Sequence, residues 1–127
     1  MLSKFYHLLK PGGRVLLDVY SLYAFNQKEE DVLYEINLFN GFWSPETYYG
    51  FLTTFKYDDE KVMLDKYTII EQSRTRVIYN WLQYFSPASI TQEFESCGFD
   101  IEACFSDVAG APYTAGSMEI AVVARKA

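Results

Sequence analysis

The sequence predicts an α/β chain, a helix-flanked sheet into which an antiparallel meander of three strands is inserted. Three observations predict it. At Leu8-Leu9-Lys10-Pro11-Gly12-Gly13-Arg14-Val15-Leu16-Leu17-Asp18-Val19 a helix passes through a Pro-Gly-Gly turn directly into an apolar strand. Val15-Leu16-Leu17 has no polar alternation, the pattern of a strand covered by helices on both faces. Residues 48–85 divide into three β-rich runs, and the short polar turns between them demand antiparallel pairing.

In chain order, residues 2–10 read as an amphipathic helix with Leu2, Phe5, Leu8 and Leu9 on one stripe. His7 falls off that stripe and is expected in solvent. Pro11 cannot continue the helix, and Gly12 or Gly13 supplies the positive φ that a helix end favours. The strand 14–20 follows. Residues 21–40, with Lys28-Glu29-Glu30-Asp31, read as a helical or mobile connection whose apolar face is Phe25, Val32, Leu33 and Ile36. Phe39 to Pro45 is a turn-rich loop carrying large aromatics. The meander strands are 48–57, 62–72 and 75–85, with turns at Asp58–Lys61 and Ser73–Arg74. Ser86 as N-cap and Pro87 at the first helical position open a helix over 87–97. Ile90, Phe94 and Cys97 line one face of it, and Gly98 ends it. A strand at 99–105, a loop at 106–116 and a final strand at 118–124 complete the chain.

At 127 residues, half of them hydrophobic, the chain fits a single domain, 1–127. Its net charge of −6 and the lack of a basic stripe exclude nucleic acid as a primary partner. Cys97 and Cys104 have no metal-like spacing and His7 is the only histidine, which argues against a zinc site or a Cys-His nucleophile. Two buried free thiols in a reducing cytoplasm is the expectation. No signal peptide and no membrane-spanning apolar run is present. Aromatic residues make up 18% of the chain, 11 Tyr and 10 Phe among them, and suit pocket walls and interfaces as well as packing.

The helix, the Pro11-Gly12-Gly13 turn and the strand resemble the passage into the fifth strand of class I S-adenosylmethionine-dependent methyltransferases. The segment from the 87–97 helix through Gly98-Phe99-Asp100-Ile101 to Val122-Val123-Ala124-Arg125-Lys126 is similar to that family's last helix and closing antiparallel hairpin. Residues 1–20 and 86–127 carry the resemblance. Residues 21–85 then form an insertion, where small-molecule members of the family often put substrate-covering elements. The resemblance implies the C-terminal half of a Rossmann-like sheet, its last three strands with flanking helices, α+β as an isolated fragment. The departures are as informative. No glycine-rich loop follows a first strand, and no acidic residue ends a second strand to hold ribose hydroxyls. Gly12-Gly13 does not substitute, because it leads into a strand.

The resemblance therefore implies the C-terminal, substrate-facing part of a methyltransferase acting on a small molecule. Such a part, truncated or separately encoded, lacks the N-terminal cofactor-binding half. S-adenosylmethionine is the cofactor of the intact protein; none is expected for this chain alone, which is expected to be inactive. Asp18 and Tyr20, at the carboxyl end of the 14–20 strand, lie where ligands meet open α/β sheets, and Asp18 is a candidate proton acceptor. The insertion contributes Trp43, Arg76, Tyr79, Trp81 and Tyr84 as candidate substrate residues, and the closing loop contributes Tyr113. Alternation puts Tyr79, Trp81 and Gln83 on one face and Asn80, Leu82 and Tyr84 on the other, leaving open which face meets substrate. The alternative is a non-enzymatic α+β module whose aromatic sheet binds an apolar ligand or a protein partner. The family's upstream neighbour of the 14–20 strand is missing, so one edge is expected unpaired and available for a homodimer.

Overall fold

Pro11 sets where the first helix stops. The structure, a computed structural model, describes all 127 residues, Met1–Ala127. Helix α1 spans Leu2–Leu8, shorter than the expected 2–10. The ring of Pro11 disfavours helical backbone at Lys10, and the chain is already extended at Leu9. Gly12 takes the positive φ of the turn, +77°. The elements that follow are β1 (Arg14–Ser21), α2 (Leu22–Gln27), β2 (Asp31–Ile36), β3 (Tyr48–Tyr57), β4 (Val62–Glu71), β5 (Thr75–Phe85), α3 (Pro87–Ser96), β6 (Phe99–Phe105) and β7 (Glu119–Lys126).

The chain divides into two units, the first made of Met1–Gln27 with Tyr84–Ala127 and the second of Lys28–Gln83. In the first unit β7 lies between β1 and β6 and runs antiparallel to both. On the other side of β1, the last two residues of β5 pair in parallel, Tyr84 with Tyr20 and Phe85 with Ser21. Residues 14–19 have a strand partner only on the β7 side. The core gathers Ile90, Phe94, Phe99, Ile120 and Val122, against which Leu2, Phe5, Tyr6 and Leu9 of the α1 segment pack. Leu8, expected on that stripe, is 82% exposed. The packed positions follow the i, i+3, i+4, i+7 rule from Leu2 and Phe5 to Tyr6 and Leu9, and Leu8 falls one residue short of it.

The expectation that β1 is covered on both faces is corrected. Val15, Leu17 and Val19 pack on the core, whereas Leu16 is 50% exposed and Asp18 and Tyr20 are also exposed. Helices cover one face of this strand only, so its apolar run reflects composition and not two-sided burial. The α3 expectations hold. Ser86 caps the helix, its hydroxyl accepting from Ser89 N–H at 3.0 Å while Ser89 Oγ accepts from Ser86 N–H at 2.9 Å. Gly98 follows at φ +93°, and a Cβ there would meet the Tyr6 ring at 2.9 Å. Cys97 and Cys104 are free and half-buried, less enclosed than expected; burial pushes the Cys104 thiol above its ordinary value.

The second unit is a meander of four strands, β2-β3-β4-β5, every neighbouring pair antiparallel, and not of three. The extra strand is β2, which the sequence reading assigned to a helical or mobile connection. All six of its residues are exposed at the sheet's edge, so no alternation marks it, and Val32, Leu33 and Ile36 mimic a helical stripe. The register sorts the side chains onto two faces. One carries Tyr48, Gly50 and Leu52 of β3, Tyr67 and Ile69 of β4, and Ile78 of β5. The other is built of cross-strand rungs such as Ile36–Tyr49–Ile70, Tyr34–Phe51–Thr68–Val77 and Val32–Thr53–Lys66–Tyr79.

Leu38, fully buried, packs on the first face with Tyr48 and Ile69. Gly50 makes that possible, since a Cβ at residue 50 would overlap the Leu38 Cβ and lie 3.0 Å from its Cδ2. Gly50→Ala is therefore expected to destabilise this unit by about 1–3 kcal/mol through overpacking. Both tryptophans, Trp43 and Trp81, belong to this unit, so denaturant unfolding followed by tryptophan fluorescence reads it directly. Leu38→Gly, which removes the overlapping Cβ, should cost less in the Gly50→Ala background than in the wild type. Equal costs in the two backgrounds would refute the steric account.

Candidate functional site

A tight loop crosses one face of the meander and builds the wall of a cleft. Asn37, Phe39, Asn40 and Gly41 all have positive φ, between 52° and 79°. Left-handed backbone at a non-glycine costs about 1–2 kcal/mol per residue, so it persists where other contacts fix it. Tyr48 supplies those contacts. Its backbone N–H donates to Asn37 Oδ1 at 3.0 Å and its carbonyl accepts from Asn37 N–H at 2.9 Å. Its hydroxyl donates to the Leu38 carbonyl and accepts from Trp43 N–H at 3.3 Å. The far side of the loop is held by Arg76, whose guanidinium donates to the Trp43 carbonyl and pairs with Glu71 at 2.8 Å. Arg74 approaches the same carboxylate at 3.4 Å.

The cleft measures about 560 Å3 and is lined by Phe39, Phe42, Trp43, Tyr67, Ile78, Tyr79 and Asn80, all within the second unit. Its rings touch one another: Trp43 and Tyr67 lie 4.7 Å apart between centroids, Phe42 meets Trp43 edge-on at 5.0 Å, and Phe39 meets Tyr67 edge-on at 6.1 Å. Its polar groups are few. Burial, aided by the Asp65 carboxylate, pushes the Tyr67 phenol above its ordinary value, so its hydroxyl stays protonated at neutral pH. Asp65 itself accepts from the Thr54 hydroxyl at 3.0 Å. The Trp43 indole N–H is buried and has no hydrogen-bond partner, a state that buried donors rarely tolerate.

Of the residues singled out from sequence, the cleft brings together Trp43 and Tyr79, with Arg76 bracing Trp43 from behind. In the first unit Tyr20 stacks on buried Tyr84 at 5.4 Å, and Tyr84 meets Phe25 edge-on. Asp18 stands exposed on β1 opposite Ala121, and Tyr113 packs against the first unit's core. Trp81, 58% exposed, lies on the opposite face from the cleft floor and touches Tyr57. Ser21, at the end of β1, is committed to structure: its hydroxyl donates to the Ser117 carbonyl and accepts from Ala24 N–H. Sequence reasoning missed Phe39, Phe42, Ile78 and Asn80 as cleft residues, and Tyr48 as the loop's anchor. The Asn-Leu-Phe-Asn-Gly run at 37–41, rich in residues that accept left-handed backbone, was the available signal.

No group of three or more His, Cys, Asp or Glu side chains is placed to hold a metal ion, and no helix is long and apolar enough to cross a membrane. No protein-family model and no curated protein matches the chain. Solved structures do. The CcbJ methyltransferase from Streptomyces caelestis superposes with a TM-score of 0.71 at 16% identity, over 99% of this chain and 48% of its own. An S-adenosylmethionine-dependent methyltransferase from Clostridium acetobutylicum gives 0.70 at 12% identity, over 98% of this chain and 48% of its own. CalS10, an amino pentose methyltransferase from Micromonospora echinaspora solved with bound S-adenosylmethionine, gives 0.53 at 13% identity, over 99% and 49%. At these identities the likeness is one of fold, and the chain spans about half the length of the structures it matches.

Glu71 links the cleft to pH. Its side chain is 4% exposed. Burial pushes its carboxyl up, but hydrogen bonds from Arg76 and Arg74 and their charges outweigh this and hold it below the ordinary range. A carboxylate lowered in the folded state stabilises fully above its unfolded pKa of about 4.3 and loses that contribution as pH falls through the folded value. Second-unit stability, read by tryptophan fluorescence, should therefore fall on acidification below about pH 4.3, and Glu71→Gln should flatten that limb. A variant with an unchanged acid limb would show that other carboxylates govern it.

Proposed function

We propose that the chain is the C-terminal, substrate-facing part of an S-adenosylmethionine-dependent methyltransferase acting on a small molecule. The observation that carries this reading is the superposition of 98–99% of the chain on about half of two methyltransferases, with TM-scores of 0.71 and 0.70. The strand order β1-β7-β6, with antiparallel β7 in the middle and helices preceding β1 and β6, supports assigning the first unit to the last three strands of a Rossmann-like sheet. Residues 21–85 are then an insertion within one methyltransferase part, 1–127, and its cleft receives the apolar portion of the methyl acceptor. Asp18, Tyr20, Trp81, Tyr84 and Tyr113 stay candidates for contacts made in the intact enzyme. The free thiols of Cys97 and Cys104 are compatible with a cytoplasmic setting.

The residues present do not form a cradle for S-adenosylmethionine. Two strands run into helices here, β1 into α2 at Ser21–Leu22 and β5 into α3 at Phe85–Pro87. Neither junction has a glycine-rich turn, and the hydroxyls of Ser21 and Ser86 are spent capping their own helices. In this reading the cofactor is held by the rest of the enzyme, whose neighbouring strand pairs with the open side of β1; without it, that edge is available to a second copy. One observation favours the non-enzymatic reading, a ligand-binding module: the cleft is complete within the second unit.

Calorimetric titration of S-adenosylmethionine into the 127-residue chain should release no binding heat at micromolar concentrations. Micromolar affinity would overturn this division of labour. The aromatic probe 4-nitrophenol should quench tryptophan fluorescence through Trp43, so that Trp43→Phe abolishes saturable quenching and Trp81→Phe does not. The transcript upstream of Met1 separates the two readings: an in-frame strand, glycine-rich turn and helix supports the enzyme, and an immediate stop codon supports the module.

A further inference from the structure

We propose that the face of the second unit opposite the cleft floor is a self-association surface, and that its occupant is a second copy of this chain. An antiparallel sheet with one solvated face ordinarily turns polar residues outward. Here the reverse holds. Lys66 is the only charged residue that the register assigns to this face, while Asp31, Glu35, Lys56, Asp65, Glu71 and Arg76 all fall on the other. The uncharged face is also exposed: Val32 63%, Ile36 55%, Tyr34 and Tyr49 50%, Trp81 58% and Val77 44%. Their rungs are contiguous, and Tyr34 already stacks on Tyr49 and packs on Phe51 at 4.9 Å.

The area fits a dimer. Aromatic side chains present roughly 150–250 Å2 each. With Phe55, Tyr57 and Ile70, 37–41% exposed, added to the six above, the apolar surface is on the order of 800 Å2 per copy. A stable interface needs about 800 Å2 from each partner, and monomers seldom expose a contiguous apolar patch beyond a few hundred Å2. Charge argues for a copy over a foreign partner. A face without acids and with one lysine has no electrostatic address, and on a chain of net charge −6 it is the surface through which two copies meet with least repulsion. Sheet faces stack about 10 Å apart with interdigitating side chains, and a two-fold axis makes one such patch self-complementary. The open edge of β1 offers less, a few backbone hydrogen bonds at Val15–Val19 and one half-exposed leucine.

Sedimentation equilibrium of the full chain at tens of micromolar tests this. The expected species has twice the 14.7 kDa chain mass, and association should tighten as salt is raised, because salt screens repulsion between like-charged copies. Tyr34→Lys and Val77→Lys reduce the net negative charge, so any loss of dimer in them is local to the face. Each should weaken association at least about tenfold with an unchanged circular dichroism spectrum, while Leu16→Lys on the β1 edge should leave it intact. A monomer at 100 µM in high salt overturns the proposal, as does a dimer indifferent to both face variants or lost only in Leu16→Lys. Should the face variants unfold, hydrogen exchange of the wild type across dilution replaces them: slowed exchange confined to β2 and the β5 edge supports the interface, and unchanged rates refute it. A monomer that co-sediments with phosphatidylcholine vesicles would assign the face to a lipid surface instead and also refute the proposal.

Discussion

Leu38 reaches the floor of the second unit because residue 50 carries no side chain. That contact fixes the height at which the 37–44 loop crosses the sheet, and the rest of the unit follows from it. With Leu38 seated on Gly50 and Ile69, the left-handed residues beside it have no freedom to relax, and Phe39 and Trp43 are held over Tyr67. Tyr48 closes the arrangement from below and Arg76 from the side. Buried Glu71 lies directly across from Tyr48 in the β3–β4 register, so the ion pair and the tyrosine brace the same end of the sheet. The aromatic wall is thus preorganised by backbone strain held against packing, an arrangement that recurs where a loop carries function.

What the sequence disclosed and what it concealed divide along physical lines. Signals that live in one or two residues were legible: Pro11 and Gly12 at the first turn, Ser86 and Pro87 opening α3, Gly98 closing it, and the two polar turns that set β3, β4 and β5. Signals that depend on what lies across space were not. The strand β2 shows no alternation because an edge position exposes all its residues, and only its register against β3 reveals it. The run Val15-Leu16-Leu17 suggested two-sided burial, yet a strand's composition does not state whether helices come to both faces. Trp43 and Tyr79 could be chosen from sequence as polar-tipped aromatics, but the loop that brings Phe39 and Phe42 beside them folds through non-local contacts with Tyr48 and Gly50.

The first unit shows a parallel asymmetry. Its core is complete on the helix side, where Phe94, Phe99, Ile120 and Val122 are buried and Lys126 ties the α1 end by donating to the carbonyls of Tyr6 and Leu9. Across the sheet, Leu16, Asp18 and Tyr20 face outward. The packed side of the strand is wholly apolar, Val15, Leu17 and Val19, whereas the outward side mixes Leu16 with Arg14, Asp18 and Tyr20. The chain spans about half the length of the methyltransferase structures it matches.

The two faces of the meander differ in where they put charge. On the cleft side, Glu71 is engaged by Arg76 and Asp65 by Thr54, so these carboxylates fix geometry while the rings supply contact area. The cleft lining also carries a phenol that stays protonated, that of Tyr67. Such a wall favours a flat, weakly polar group. The opposite face has one charged residue, Lys66, among mostly apolar and aromatic side chains. A small molecule would cover a fraction of it, whereas a second sheet would cover it all. In the proposed reading the cleft takes something near its own volume of about 560 Å3 and the flat face a second sheet.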